Sequence, residues 1–305
     1  MASCSSFNFL LEFWLCIIII GLSDNGHAQL DATFYDDSCP ELVSIVNAGM
    51  KQAIGRESRL AASILRNYFH DCFVSGCDAS ILLDGKDSEK FAFPNLNTAR
   101  GFEVIDDIKK DVEEACPKTV SCADILSIAT REGVREMQGP SWELKFGRKD
   151  SLEPKQEMAN NGLPGPSSTL GNLKEGFGEK GFTPTDVTAL SGAHTIEKNK
   201  KECPFEGGDF NVAQLDQTTP LVFDNQYYKN LMERRVLLDS DQVLFSNDTQ
   251  DDLVTTYSKD QDAFFKDFAQ AMVKLSNLSP LTGDQGEIRT NCRSSNSEPE
   301  QPLTD

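Results

Sequence analysis

Arg66 and His70 stand four residues apart in the stretch Ile64-Leu65-Arg66-Asn67-Tyr68-Phe69-His70-Asp71-Cys72-Phe73. On a helix, residues at i and i+4 project from one face. A guanidinium and an imidazole therefore share a stripe otherwise made of Leu60, Ile64, Leu65 and Phe69. Either the two form an exposed surface pair, or they are buried and must be satisfied or working. The other histidine of interest, His194, ends the run "DVTALSGAHT". The small residues before it leave room for a flat ligand to approach the imidazole. A lone helical histidine is usually structural, yet these two contexts together suggest paired roles at one site. A competing reading is zinc held by His70, Cys72 and Cys77. Against it, thiolates of a secreted chain tend to oxidise and a fourth ligand is missing.

The chain has 305 residues, enough for one large domain or two small ones. It begins with a short apolar run, "FLLEFWLCIIIIGL", followed by "SDNGHAQL", where Gly26-His27-Ala28 resembles a small-x-small cleavage site before Gln29. Residues 1–28 are expected to be a secretory signal peptide rather than a membrane span. Its removal takes away His27, Cys4 and Cys16, leaving two histidines and seven cysteines: Cys39, Cys72, Cys77, Cys116, Cys122, Cys203 and Cys292. Seven is odd, so bridging in an oxidising compartment leaves at least one over. Asn247-Asp248-Thr249 and Asn277-Leu278-Ser279 are glycosylation sequons that fit the same compartment, the second made poorer by Pro280. With 29 basic against 48 acidic residues and a net charge of −19, nucleic acid and anionic membrane are not expected partners.

The elements that must position these side chains read as helices. Apolar residues recur three and four apart in "CPELVSIVNAGMKQAI", "RLAASILRNYFHDCF", "GFEVIDDIKKDVEEAC", "CADILSIATREGVREM" and "QDAFFKDFAQAMVKLSNL". "TPTDVTALSGAHT" opens with Thr183 as N-cap, Pro184 at the first helical position and Asp186 three residues after the cap. Gly and Pro cluster in connections at 138–142 and 160–166. Residues 294–305, "SSNSEPEQPLTD", read as a disordered acidic tail. The expectation is an all-α single domain over 29–293.

Along almost all of 29–293 the chain resembles the class III secretory plant haem peroxidases. The resemblance is carried, in family order, by "QLDATFYDDSCP", "FHDCFVSGCDASILLD", "RGFEVIDDIK", "VSCADIL", "GPSW", "GRKDS", "LSGAHTI", "TPLVFDNQYYKNL", "SDQVLF", "AMVKL" and "LTGDQGEIRTNC". It implies two helical halves sandwiching haem b, two structural calcium ions and four disulfides. By resemblance, His194 is the proximal ligand to haem iron and Asp241 the carboxylate bonded to its other ring nitrogen. His70 is the distal acid–base, Asn95 its hydrogen-bond partner, Arg66 the cation that stabilises charge as the O–O bond breaks, and Phe69 a pocket wall. The first calcium is expected from Asp71, Val74, Gly76, Asp78 and Ser80, with Glu89 through water. The second is expected from Thr195, Asp216, Thr219, Val222 and Asp224. Pro164 matches the proline near the haem edge where aromatic donors dock. The family's pairing implies Cys39–Cys116, Cys72–Cys77 and Cys122–Cys292. The implied activity is reduction of hydrogen peroxide by small phenolic donors such as lignin precursors. The implied protein is a monomer, secreted to the extracellular space or cell wall, or held in a vacuole.

The resemblance breaks at "HTIEKNKKECPF", where the family's glycine, cysteine and long following segment are absent. His194 and Asp216 lie only 22 residues apart, about thirty fewer than expected, far more than ordinary loop variation. The absent part, near 197–203, would carry helices of the proximal side and the partner of Cys203. Tyr68 also stands where a histidine is common in the family. The alternative this raises is a non-enzymatic, calcium-binding descendant that has lost haem.

Overall fold

The computed structural model describes residues 30–196, 198–199, 213–214 and 218–297. The signal-peptide segment, Cys203 and Asp216 lie outside the described residues.

Among the described residues the architecture is helical, as the periodicity predicts. The first half comprises α1 (Leu42–Arg56), α2 (Leu60–Val74), α3 (Phe102–Ala115) and α4 (Cys122–Glu136). The second comprises α5 (Gln156–Gly162), α6 (Leu170–Glu179), α7 (Pro184–Ser191), α8 (Gln226–Met232), α9 (Asp239–Gln242), α10 (Asp251–Lys259) and α11 (Gln261–Ser276). Two-residue strands, Lys198–Asn199 and Ala213–Gln214, pair antiparallel. Helix α5 and the helices from α6 onward that sequence periodicity did not single out are short. Helix α5 occupies part of the 160–166 stretch read as a connection, because Ala159 is buried against Val74 and Ala92. Among the described residues no helix is long and apolar enough to cross a membrane.

Helix α2 lies at the centre, and it is buried on nearly all sides rather than along one stripe. It packs on α4, while α1 packs on α4 and α3. Tyr68 faces this interior, fully buried, with its hydroxyl 3.2 Å from Ser127 Oγ on α4. The departure at Tyr68 is therefore a core contact on a different face from Arg66 and His70. In the second half α7 packs on α11, and α8 on α10.

Buried polar contacts bind the halves. Arg148 and Asp124 form an ion pair at 2.7 Å with both side chains fully buried. Asp124 also accepts from the Tyr35 hydroxyl at 2.9 Å and the Gly147 amide at 2.8 Å, and Arg148 reaches the Ser276 carbonyl at the end of α11. Removing one partner would strand a buried charge, which costs about 3–5 kcal/mol. Asp150 accepts from the Cys122 and Ala123 amides, at 3.0 and 2.9 Å, at the start of α4. Disulfides join Cys39 to Cys116, Cys72 to Cys77 and Cys122 to Cys292, the three pairs the resemblance implies. The Cys72–Cys77 bond consumes both thiolates of the zinc reading, which is thereby overturned. Residues 294–297 also differ from the expected tail. Ser295 is buried, and Asn296 donates to the Ile288 carbonyl and accepts from the Thr290 amide, at 2.9 and 3.1 Å.

Candidate active site

Helix α2 delivers Arg66 and His70 to the loop that follows the 3₁₀ turn Glu89–Phe91. His70 is buried, so the exposed-pair reading fails. Its Nδ1 lies 2.5 Å from Asn95 Oδ1, while Asn95 Nδ2 donates to the Glu89 carbonyl at 2.8 Å. Because the amide nitrogen is committed to Glu89, the oxygen must face His70. Nδ1 then carries the proton and Nε2 is the basic nitrogen. Burial, reinforced by the Arg66 guanidinium and opposed by the Asn95 bond, pushes the His70 pKa down to about 3. The imidazole is a neutral base across the physiological range. Arg66 Nη2 donates to the Pro94 carbonyl at 2.8 Å and lies 3.0 Å from Thr98 Oγ1. Phe69 meets the His70 ring edge-on at 5.9 Å and stacks on Phe177 of α6, also at 5.9 Å. One loop, 94–98, thus holds both Arg66 and His70.

His194 sits on a 3₁₀ turn, Gly192–Thr195, that continues α7. The capping box at Thr183 and Asp186, with Pro184 at the first position, fixes the start of α7 as its sequence predicts. Gly192 has no alternative: a Cβ there would lie 2.4 Å from the Tyr228 hydroxyl and 2.5 Å from the Phe264 ring. His194 Nδ1 donates to Asp241 Oδ1 at 2.7 Å, and Asp241, on α9, is buried. Tyr227 on α8 donates its hydroxyl to the same oxygen at 2.9 Å. Burial and Asp241 push the Tyr227 phenol well above its ordinary value, so it stays a donor. With Nδ1 committed to a carboxylate, the imidazole is electron-rich, a donor chemistry that fits haem iron.

The turn after α2 brings Asp71, Asp78, Ser80 and Glu89 together, all buried. Asp71 accepts from the Ala79 amide at 2.9 Å, and Asp78 from the Ser80 amide at 3.0 Å. Gly76 turns at φ +112, where a Cβ would strike the Ser279 carbonyl at 2.2 Å. Ser80 Oγ and both carboxylate oxygens of Glu89 are buried without a hydrogen-bond partner. Burial, Asp78 and Glu89 drive the Asp71 pKa well up, and burial with Asp78 lifts Glu89 to about 7. Orphaned buried oxygens among like charges fit a hard, oxygen-seeking cation. Among the described residues no group of three or more His, Cys, Asp or Glu is placed to hold a metal by itself.

At the second expected ion site, Thr195 Oγ1 donates to Asp224 Oδ1 at 3.2 Å, and the Val222 amide bonds the Thr219 carbonyl at 3.0 Å. Two of its members are thus joined, and two more share one turn. Pro164 is half-buried in the connection from α5 to α6, where the Pro166 carbonyl accepts from the Ser240 amide beside Asp241 at 3.0 Å. Sequence reasoning missed Thr98 and Pro94 as holders of Arg66, the Glu89 carbonyl behind Asn95, and Tyr227 on Asp241. The pair "YY" in "FDNQYYKNL" was the only visible signal of the last.

Comparison with known proteins bears on this geometry. The protein-family description "Peroxidase" matches residues 46–260. The chain is 46% identical over 297 residues to the lignin-forming anionic peroxidase of Nicotiana sylvestris, covering 88% of this chain and 92% of the relative. It is 46% identical over 326 residues to peroxidase C2 of Armoracia rusticana (95% and 93%) and 46% over 314 to peroxidase 5 of Arabidopsis thaliana (93% and 98%). The 326 aligned positions exceed the 305 residues of the chain, so at least 21 of them face gaps in it.

Proposed function

Because this chain belongs to the plant class III haem peroxidase family, we propose that His194 ligates haem iron and that His70, Arg66 and Asn95 work the peroxide-facing side. The protein is a peroxidase. The observation that carries the assignment is the contrast between the two histidines. Each commits Nδ1 to a side-chain oxygen, but one partner is a neutral amide and the other a carboxylate. An amide fixes the tautomer of a base without protonating it, whereas a carboxylate makes a ligand electron-rich.

When bound, haem supplies the redox chemistry, accepting oxidation by one peroxide and returning to rest through two one-electron donors. His70 Nε2 takes the proton from the attacking peroxide oxygen and gives it to the departing one. Arg66, held by the Pro94 carbonyl, stabilises the negative charge that develops as the O–O bond breaks. Phe69 and Phe177 exclude water from that side.

The donors in this reading are small phenolics, lignin precursors among them, docking near Pro164. Two features support an aromatic donor: the exposed rings of Phe91 and Phe93 on the loop carrying Asn95, and the name of the Nicotiana relative. The Asp71–Glu89 cluster holds one calcium ion tightly, while the site at Thr195 and Asp224 is weakened by a deletion of about thirty residues after His194. The gapped alignment supports the deletion. Secretion is supported by the leader and by three disulfides, which persist in oxidising compartments. No observation favours a non-enzymatic descendant. The test is His70→Ala, which should slow the reaction with peroxide by at least ~100-fold, the scale of positioned acid–base catalysis, while leaving haem bound. Unchanged stopped-flow rates in that variant refute the assignment.

A further inference from the structure

Three of the five tyrosines stand in one line that begins at the proximal histidine. Tyr227 donates to Asp241 Oδ1, the atom that also accepts from His194, and its ring lies edge-on to the His194 ring at 6.1 Å. Tyr227 meets Tyr228 at 5.1 Å between ring centroids, and Tyr228 meets Tyr257 of α10 at 5.0 Å. The line ends where the Tyr257 hydroxyl donates to Asp267 Oδ2 at 2.6 Å, on the half-exposed face of α11. The other two tyrosines lie apart from it. Tyr68 is bonded to Ser127, and Tyr35 is bonded to an Asp124 already paired with Arg148.

We propose that Tyr227, Tyr228 and Tyr257 form a redox relay that drains an oxidising equivalent from the haem side of His194 to Tyr257 when no donor is docked near Pro164. The proposal rests on His194 holding haem. Removing an electron from a phenol makes its proton strongly acidic, so a tyrosine yields an electron readily only where a base stands ready for that proton. Tyr227 has Asp241 and Tyr257 has Asp267, both in hydrogen-bond contact. Tyr228 donates instead to the Thr188 carbonyl at 2.9 Å, which cannot take a proton, so it bridges and does not store.

With peroxide as the oxidant, Tyr227 would give one electron toward a haem held at His194, and its phenol proton would pass to Asp241. Tyr227 is then refilled by one electron from Tyr257 across Tyr228 and recovers its proton from Asp241. Tyr257 delivers its own proton to Asp267. The net result is one electron delivered to the haem, one proton on Asp267 and a neutral phenoxyl radical at Tyr257. A one-electron reductant in solution, with the proton returned from Asp267, restores the phenol. Full burial of Tyr257 keeps that radical from coupling with another chain, which suits a drain rather than a docking site.

Freeze-quenched electron paramagnetic resonance of the haem-loaded protein, mixed with peroxide without donor, tests this. The wild type should give a tyrosyl signal. Tyr227→Phe should reduce it to the peroxide-free level while the Soret band still responds to peroxide. Tyr257→Phe, remote from the haem side, should keep a signal of altered line shape, because the radical then rests on Tyr227. It should also leave turnover of small phenols unchanged. A wild type with no tyrosyl signal despite a responsive Soret band overturns the relay alone. So does a signal of unchanged size and shape in both variants. A protein with no Soret band after haem addition overturns the relay together with the haem assignment.

Discussion

Asn95→Leu probes the joint on which the peroxide-facing side depends. Leucine keeps the branched shape and removes both polar functions of a fully buried side chain. The His70 Nδ1 proton loses its acceptor at 2.5 Å, and the Glu89 carbonyl loses its donor at 2.8 Å. Each stranded group costs about 1–3 kcal/mol, so global stability should fall by roughly 2–6 kcal/mol. The kinetic effect is smaller than deleting the base, because the imidazole remains but divides between tautomers and orientations. Positioned acid–base catalysis is worth ~10²–10⁴-fold, so the loss should be about 10- to 100-fold in the bimolecular rate with peroxide. Stopped-flow spectroscopy at neutral pH measures that rate, and chemical denaturation the stability. Asn95→Asp is the informative control. It keeps the acceptor but adds a negative charge, raising His70 from about 3 toward the neutral range, so the rate should become pH-dependent and fall as pH falls. A haem-loaded Asn95→Leu protein that reacts at the wild-type rate would show that the bond does not set the base.

Calcium removal should make stability pH-dependent in a definite sense. In the stripped protein Glu89 titrates at about 7, against 4.5 in its ordinary state, so the fold binds the extra proton and stability is lost as pH rises from about 4.5 to about 7. Glu89 alone accounts for about 3 kcal/mol, with Asp71 adding in the same direction, and thermal melts of stripped and loaded protein should diverge as pH rises. An equal gap at pH 5 and pH 8 contradicts this. Under denaturing, non-reducing conditions one thiol should titrate per mature chain, that of Cys203, and elemental analysis should find one tightly held calcium. No thiol in the monomer, or two tight ions, would mean that the shortened segment is better accommodated than the deletion implies.

Much of this was legible because it is local. The periodicity predicts α2 over 59–73 and the helix runs Leu60–Val74, since its period is set by residues three and four apart, and the cap at Thr183 is written in four consecutive residues. The Arg66–His70 pairing is likewise a property of one helix turn. Partners far apart in sequence are another matter. Nothing near Asp241 announces Tyr227, because that contact exists only once α8 and α9 are packed, and the Glu89 carbonyl, though only 6 residues from Asn95, meets it only through the irregular turn between them. Family resemblance supplied Asp241 and Asn95 as roles. The buried Arg148–Asp124 pair and the Asp150 contacts at the start of α4 are invisible for the same reason, and residues 294–297 depart from the expected tail because polar composition says nothing of Asn296 finding partners at 288 and 290.

The most direct measurement is the visible absorption spectrum of the purified, haem-reconstituted protein beside that of His194→Ala, before and after addition of peroxide. The account predicts a Soret band that shifts with peroxide and recovers on addition of a phenol in the wild type, and loss of that behaviour in the variant. A wild-type spectrum without a Soret band, or a variant indistinguishable from a peroxide-responsive wild type, would contradict it.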